Sequence, residues 1–186
     1  MKALALLLLL LVPTTYAAAD GKITRNSMGG DIDVDDAPHG AELRTMGGDI
    51  RVDRARGEVV ARTMGGNIRV RNLIGSLVAG TMGGNVTAEI DGVAGSRSLD
   101  LYSMGGRVEL TLPADFSGTF EIELEQGDDR REGRIISDFP LQVRKSRRER
   151  WFRRDTEVLN ATGRVGSGEA RVKIKTIGDD ITIRKR

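Results

Sequence analysis

The sequence predicts an all-β fold: a single-stranded parallel β-solenoid, β-helix-like, made of coils of about 18 residues, with an irregular charged excursion before the last coil. Three observations predict it. Thr-Met-Gly-Gly or Ser-Met-Gly-Gly occurs five times, with Met28, Met46, Met64 and Met82 spaced by 18 residues and Met104 following after 22. Around each copy, apolar and polar residues alternate with period two, the pattern of half-buried strands. The same kinds of residue also recur at one fixed offset from each methionine, as stacking of like on like requires.

Taken in chain order, "MKALALLLLLLVPTTYAAAD" has Lys2, a leucine run and small residues at Ala17 and Ala19. Residues 1–19 therefore read as a secretory signal peptide. The apolar run from Ala3 to Val12 is half of the ~20 residues a membrane-spanning helix needs. The expectation is an exported protein, periplasmic, at the cell surface or extracellular. With no cysteine in the chain there is no disulfide framework, so packing must supply the stability. Residues 20–186 are expected to form one β-solenoid domain, with regular coils over 22–125, a basic irregular excursion over 126–168 and a closing coil over 169–186.

Within each coil, the strand before the methionine turns every second residue inward: Ala41, Leu43 and Thr45; Val59, Ala61 and Thr63; Leu77, Ala79 and Thr81; Leu99, Leu101 and Ser103. The strand after it does the same with Ile32 and Val34, Ile50 and Val52, Ile68 and Val70, Val86 and Ala88, Val108 and Leu110. A helix of five turns would also return each repeat to the same face, but a Gly-Gly pair in a helix interior costs ~2 kcal/mol. The Gly-Gly pair is instead expected to be a corner that uses positive φ. Methionine is expected to fold over the end of the core, and the preceding hydroxyl to bridge neighbouring coils. Charges stack with alternating sign, Asp33 beside Arg51 and Asp53, Arg71 and Glu89 in succession.

After Met104, Phe120, Ile122 and Leu124 make a return strand and the pattern then dissolves. It resumes at "EARVKIKTIGDDITIRKR", which is expected to close and cap the rod, its charged end opposing strand-on-strand aggregation. The Ser/Thr-x-Gly-Gly-Asp/Asn-Ile-x-Val repeats and "TIGDDITI" resemble those of a bacterial adhesin-like β-solenoid domain family of unknown function. The resemblance spans roughly residues 21–186, implies a β-solenoid carried outside the cytoplasm, and supplies no catalytic residue.

Enzymatic chemistry lacks its usual parts. There is one histidine, His39, in the turn "DDAPHG", and neither a nucleophile elbow nor a His-Glu-x-x-His helix. No catalytic residue, metal site or cofactor is assigned. Asp31, Asp33, Asp35 and Asp36 offer calcium only a weak site, because the column Asp31, Asp49, Asn67, Asn85, Arg107 loses charge along the stack. The five-methionine column has the softness for copper(I), but corner packing is the preferred reading. The glycine turns lack the Gly-Lys-Ser/Thr of a phosphate loop, and export argues against nucleic acid as a partner.

What stands out is "RKSRRERWFRRD", within a stretch, 130–154, of ten basic and three acidic residues. Arg144, Lys145, Arg147, Arg148, Arg150, Trp151, Arg153 and Arg154 are candidates for anion binding, since guanidinium forks take phosphate and carboxylate bidentately. Anionic envelope components such as lipopolysaccharide, phospholipid or acidic wall polymers are the partners this implies. The expected function is a non-enzymatic structural or adhesin-like protein of the cell envelope. The alternatives are a binding module for anionic polymers or membranes through 144–154, and a solenoid polysaccharide-active enzyme.

Overall fold

The computed structural model describes residues 21–93, 98–126, 132–148 and 156–186. The expected signal peptide lies outside them, as do Arg150, Trp151, Arg153 and Arg154. Among the described residues the protein is all-β. Its strands are β1 (Ile23–Ser27), β2 (Ile32–Val34), β3 (Ala41–Thr45), β4 (Ile50–Val52), β5 (Ala55–Arg62), β6 (Ile68–Thr81), β7 (Val86–Gly92), β8 (Ser98–Ser103), β9 (Val108–Leu112), β10 (Gly118–Glu125), β11 (Ile135–Ser137), β12 (Gln142–Arg148), β13 (Thr156–Val165), β14 (Ala170–Ile177) and β15 (Ile181–Lys185). All join one mixed sheet that wraps a single apolar core.

The repeat sets the register. Parallel pairing puts Ala41 on Val59 and Leu77 on Leu99 in the row that precedes each Met-Gly-Gly. In the row that follows it, Ile32 lies on Ile50 and Val86 on Val108. Alternate side chains of both rows point inward, and Ile50, Val52, Val59, Ala61, Leu77 and Val108 are fully buried. A further inward row, Ala37, Ala55, Leu73 and Ile90, completes each turn of chain.

Between the rows, two polar columns hold successive turns together. Thr63 Oγ1 donates to the Gly48 carbonyl at 2.9 Å and accepts from the Gly66 amide at 3.2 Å. Thr45, Thr81, Ser103 and Thr176 likewise donate to Gly30, Gly66, Gly84 and Gly106. All five hydroxyl residues are buried, as the sequence led us to expect. In the second column the amides of Asp49, Asn67, Asn85 and Arg107 donate to the side-chain oxygens of Asp31, Asp49, Asn67 and Asn85, at 2.8 to 2.9 Å. A side-chain carbonyl is all that this column needs, so aspartate and asparagine interchange within it.

The corner glycines work differently from expectation. None of the ten Met-Gly-Gly glycines has φ in the left-handed region. A Cβ on Gly48, Gly66, Gly84 or Gly106 would instead overlap the carbonyl of the second glycine one turn earlier. The second glycine is required by close stacking, and the first is not, since a Cβ on Gly65 would meet Gly47 at 3.7 Å. Left-handed backbone is found at another bend, at Gly57 (φ 88°). The methionines also depart from corner packing: Met28 is 86% exposed, and Met46, Met64, Met82 and Met104 are 41 to 54% exposed. With the preceding hydroxyl turned inward, period two sends the methionine outward.

The C-terminal part corrects the expected order. β14 pairs in parallel with both β8 and β10, and β15 with both β9 and β11. The last segment of the chain is therefore interior, inserted between β8–β9 and β10–β11, and its charged end is not the cap. Thr176 explains the choice, since its hydroxyl continues the buried column onto Gly106. The excursion expected to be irregular contains β11, β12 and β13, and the last two add an antiparallel ending, β10–β13–β12. The pairing is thus not uniformly parallel. All seven residues of β12 are exposed, which suits a terminal edge strand rich in charge. Phe116, Phe120 and Phe139, with centroids 5.2 to 6.2 Å apart, fill the core near this end.

Candidate functional site

Because Thr45, Thr63 and Thr81 point inward, Arg44, Arg62 and Gly80 must point outward, and parallel pairing puts them in one column. That column runs Asn26, Arg44, Arg62, Gly80, Tyr102, Lys175, with Glu123 beyond. A parallel one runs Glu42, Val60, Val78, Asp100, Lys173. Where glycine interrupts the first column, the surface sinks into an open groove of about 570 Å³. Its floor is Val78 and Gly80, Met46, Met64 and Met82 line it, and Arg44, Arg62, Lys173 and Lys175 stand around it. The exposed surface of this groove is almost wholly apolar.

The four cations differ in how far they are neutralised. Arg44 holds Glu42 at 2.7 Å, and that hydrogen bond keeps the Glu42 carboxyl below its ordinary pKa. Lys175 holds Glu123 at 3.0 Å. Arg62 and Lys173 make no ion pair or hydrogen bond among the described residues.

The predicted basic cluster is divided. Arg144 continues the outer column through Glu123 and Asn160, with Arg148 on the same face. Lys145 and Arg147 alternate to the opposite face. Arg148 is neutralised by Glu123 at 3.0 Å and Glu125 at 3.2 Å. Burial alone would push the Glu123 carboxyl up, but hydrogen bonds from Lys175 and Arg148 outweigh it and hold the pKa below its ordinary value. Lys145 is bonded to Glu157 at 2.8 Å, which raises its ammonium. Arg144 and Arg147 have no carboxylate within 4 Å among the described residues.

On the other row, Arg51 reaches Asp31, Asp33 and Asp49 at 3.6, 3.3 and 2.9 Å, and the hydrogen bond to Asp33 raises the Arg51 guanidinium. The carboxylates considered for calcium are thus partly occupied by an arginine, and no group of three or more histidine, aspartate or glutamate side chains converges to hold a metal among the described residues. His39 is exposed in the loop before Gly40.

No family model, curated protein or solved structure matches this chain. The groove was missed from sequence, although its signals were present: the outward parity of methionine, and Gly80 at the offset that holds Arg44 and Arg62 in earlier repeats.

Proposed function

We propose that the protein is an exported, non-enzymatic β-solenoid, a rod of stacked coils of about 18 residues that works by surface contact as an adhesin-like scaffold of the cell envelope. The observation that carries this reading is the division of labour between inside and outside. Inward positions are taken by apolar side chains and by hydroxyls bonded from turn to turn. The chemistry that remains is an outward strip of cationic and apolar side chains, a contact surface rather than an acid–base constellation. The parallel registers at offsets of 18 residues support the solenoid, and the repeats support kinship with the adhesin-like family.

Co-sedimentation with phosphatidylglycerol vesicles and with lipopolysaccharide, at low and at physiological salt, tests this. Retention that weakens with salt is expected, as exposed charges are screened over ~10 Å at moderate ionic strength. Protein left in the supernatant under every condition would overturn it. The second reading, contact through 144–154, is favoured by Arg144 and Arg147, which have no carboxylate within 4 Å among the described residues. It requires that Arg144→Ser with Arg147→Ser reduce retention.

A further inference from the structure

We propose that the groove over Gly80 binds one single-chain anionic amphiphile, a fatty-acid-like carboxylate, with its head at Arg62 and its chain laid across Val78, Gly80 and the methionines. The inference goes beyond the adhesive reading and does not depend on it. Four observations carry it.

The first is shape. Arg62, Gly80 and Tyr102 are register partners on β5, β6 and β8, so removing one side chain from the middle of the column opens a trough between two large neighbours. A Cβ on Gly80 would find no atom within 4 Å. The glycine is therefore not required by packing, unlike Gly66, and what it provides is the open space above it. From β5 to β14 the trough crosses three strand spacings, ~14 Å, the scale of an extended acyl chain rather than of a globular ligand.

The second is lining. Met46, Met64 and Met82 are about half exposed along one side. Their unbranched, polarisable side chains adapt to a flexible apolar chain at little rotamer cost.

The third is charge. Arg44 and Arg62 are direct register partners, and like charges placed opposite each other across strands are unfavourable. The nearby carboxylate, Glu42, is held by Arg44 through two nitrogens, at 3.1 and 2.7 Å. Arg62 donates no hydrogen bond among the described residues, and a ligand carboxylate there would satisfy its planar fork bidentately and relieve the repulsion. At the opposite end the Asp100 carboxylate lines the groove and repels a second anion there, so the head belongs at the arginine end.

The fourth is concavity. The floor of the groove, Val78 and Gly80, lies among cations that stand around it, a concavity that fits one chain entering.

The test titrates the protein with dodecanoate below its micelle concentration, beside dodecyltrimethylammonium and dodecanol, reading heat and the methionine methyl resonances. Dodecanoate should bind one to one and shift the methyls of Met46, Met64 and Met82 but not that of Met28, which lies outside the groove. The ammonium analogue should bind at least about tenfold more weakly. Gly80→Leu fills the trough and should abolish binding with an unchanged melting temperature. Arg62→Gln should weaken dodecanoate about tenfold, the scale of a lost charge-assisted hydrogen bond, and leave dodecanol unaffected. Equal binding of the anionic and cationic probes, or wild-type affinity in Gly80→Leu, would overturn the proposal. So would retention on phosphatidylglycerol vesicles that Arg62→Gln weakens, without binding of monomeric dodecanoate, which would assign this face to a membrane. Retention that Arg62→Gln leaves unchanged, with no dodecanoate binding, would remove the groove ligand alone.

Discussion

Gly66 lies against the carbonyl of Gly48 so closely that its α-carbon has no room for a methyl group, whereas the adjacent Gly65 has ordinary clearance. Two neighbouring glycines of one repeat therefore carry different burdens. Gly66→Ala should destabilise by ~1–3 kcal/mol or more, as overpacking against a rigid backbone does, and Gly65→Ala should change little. Thermal unfolding of the two variants makes the comparison, and equal melting temperatures would refute the stacking argument.

A second expectation concerns the hydroxyl column. Thr63→Val keeps the volume and removes both hydrogen bonds, leaving the Gly48 carbonyl and the Gly66 amide unsatisfied in a buried place. The loss should be about 1–3 kcal/mol, or several degrees in melting temperature. Arg69→Ala, an exposed change without a hydrogen bond to lose among the described residues, should shift the melting temperature far less.

The third turns on Glu123, where Lys175 and Arg148 meet one carboxylate. Its pKa is lower in the folded protein than the ordinary 4.5. The folded state therefore gains stability that is whole above 4.5 and is lost as pH falls through the depressed value. Denaturant unfolding between about pH 6 and pH 3 should show a steeper acid loss in the wild type than in Glu123→Gln. Parallel curves would show that the three-way pairing contributes nothing.

Much of the architecture was legible because a strict repeat states its own register. Once Thr63 is taken as inward, the burial of Val59 and Ala61 and the hydroxyl bridge all follow from alternation. The order of the final strands was not legible from alternation, since β10 and β14 carry the same apolar rhythm and each fits on β8. The hydroxyl at Thr176, against Leu124 in β10, discriminates between them, as does the turn pattern that follows it, and its weight depends on knowing that the hydroxyl column is buried. The partners of the basic segment were not legible for a different reason. Arg148 finds its carboxylates at Glu123 and Glu125, across a change of direction that local reading does not supply. The groove depends on three columns at once, so no single stretch of sequence announces it.

Placing β14 between β8 and β10 also orders events in time. While the chain is being delivered from its N-terminus, the turns up to β8 and β9 can assemble as they emerge, each on the one before. β10 cannot then take the free edge of β8 without occupying the place of a segment that comes some fifty residues later, from Ala170 onward. The far end of the molecule therefore rests on β14 and β15. Without those two strands, β8 and β9 would present an open edge to which β10 and β11 carry a matching apolar rhythm.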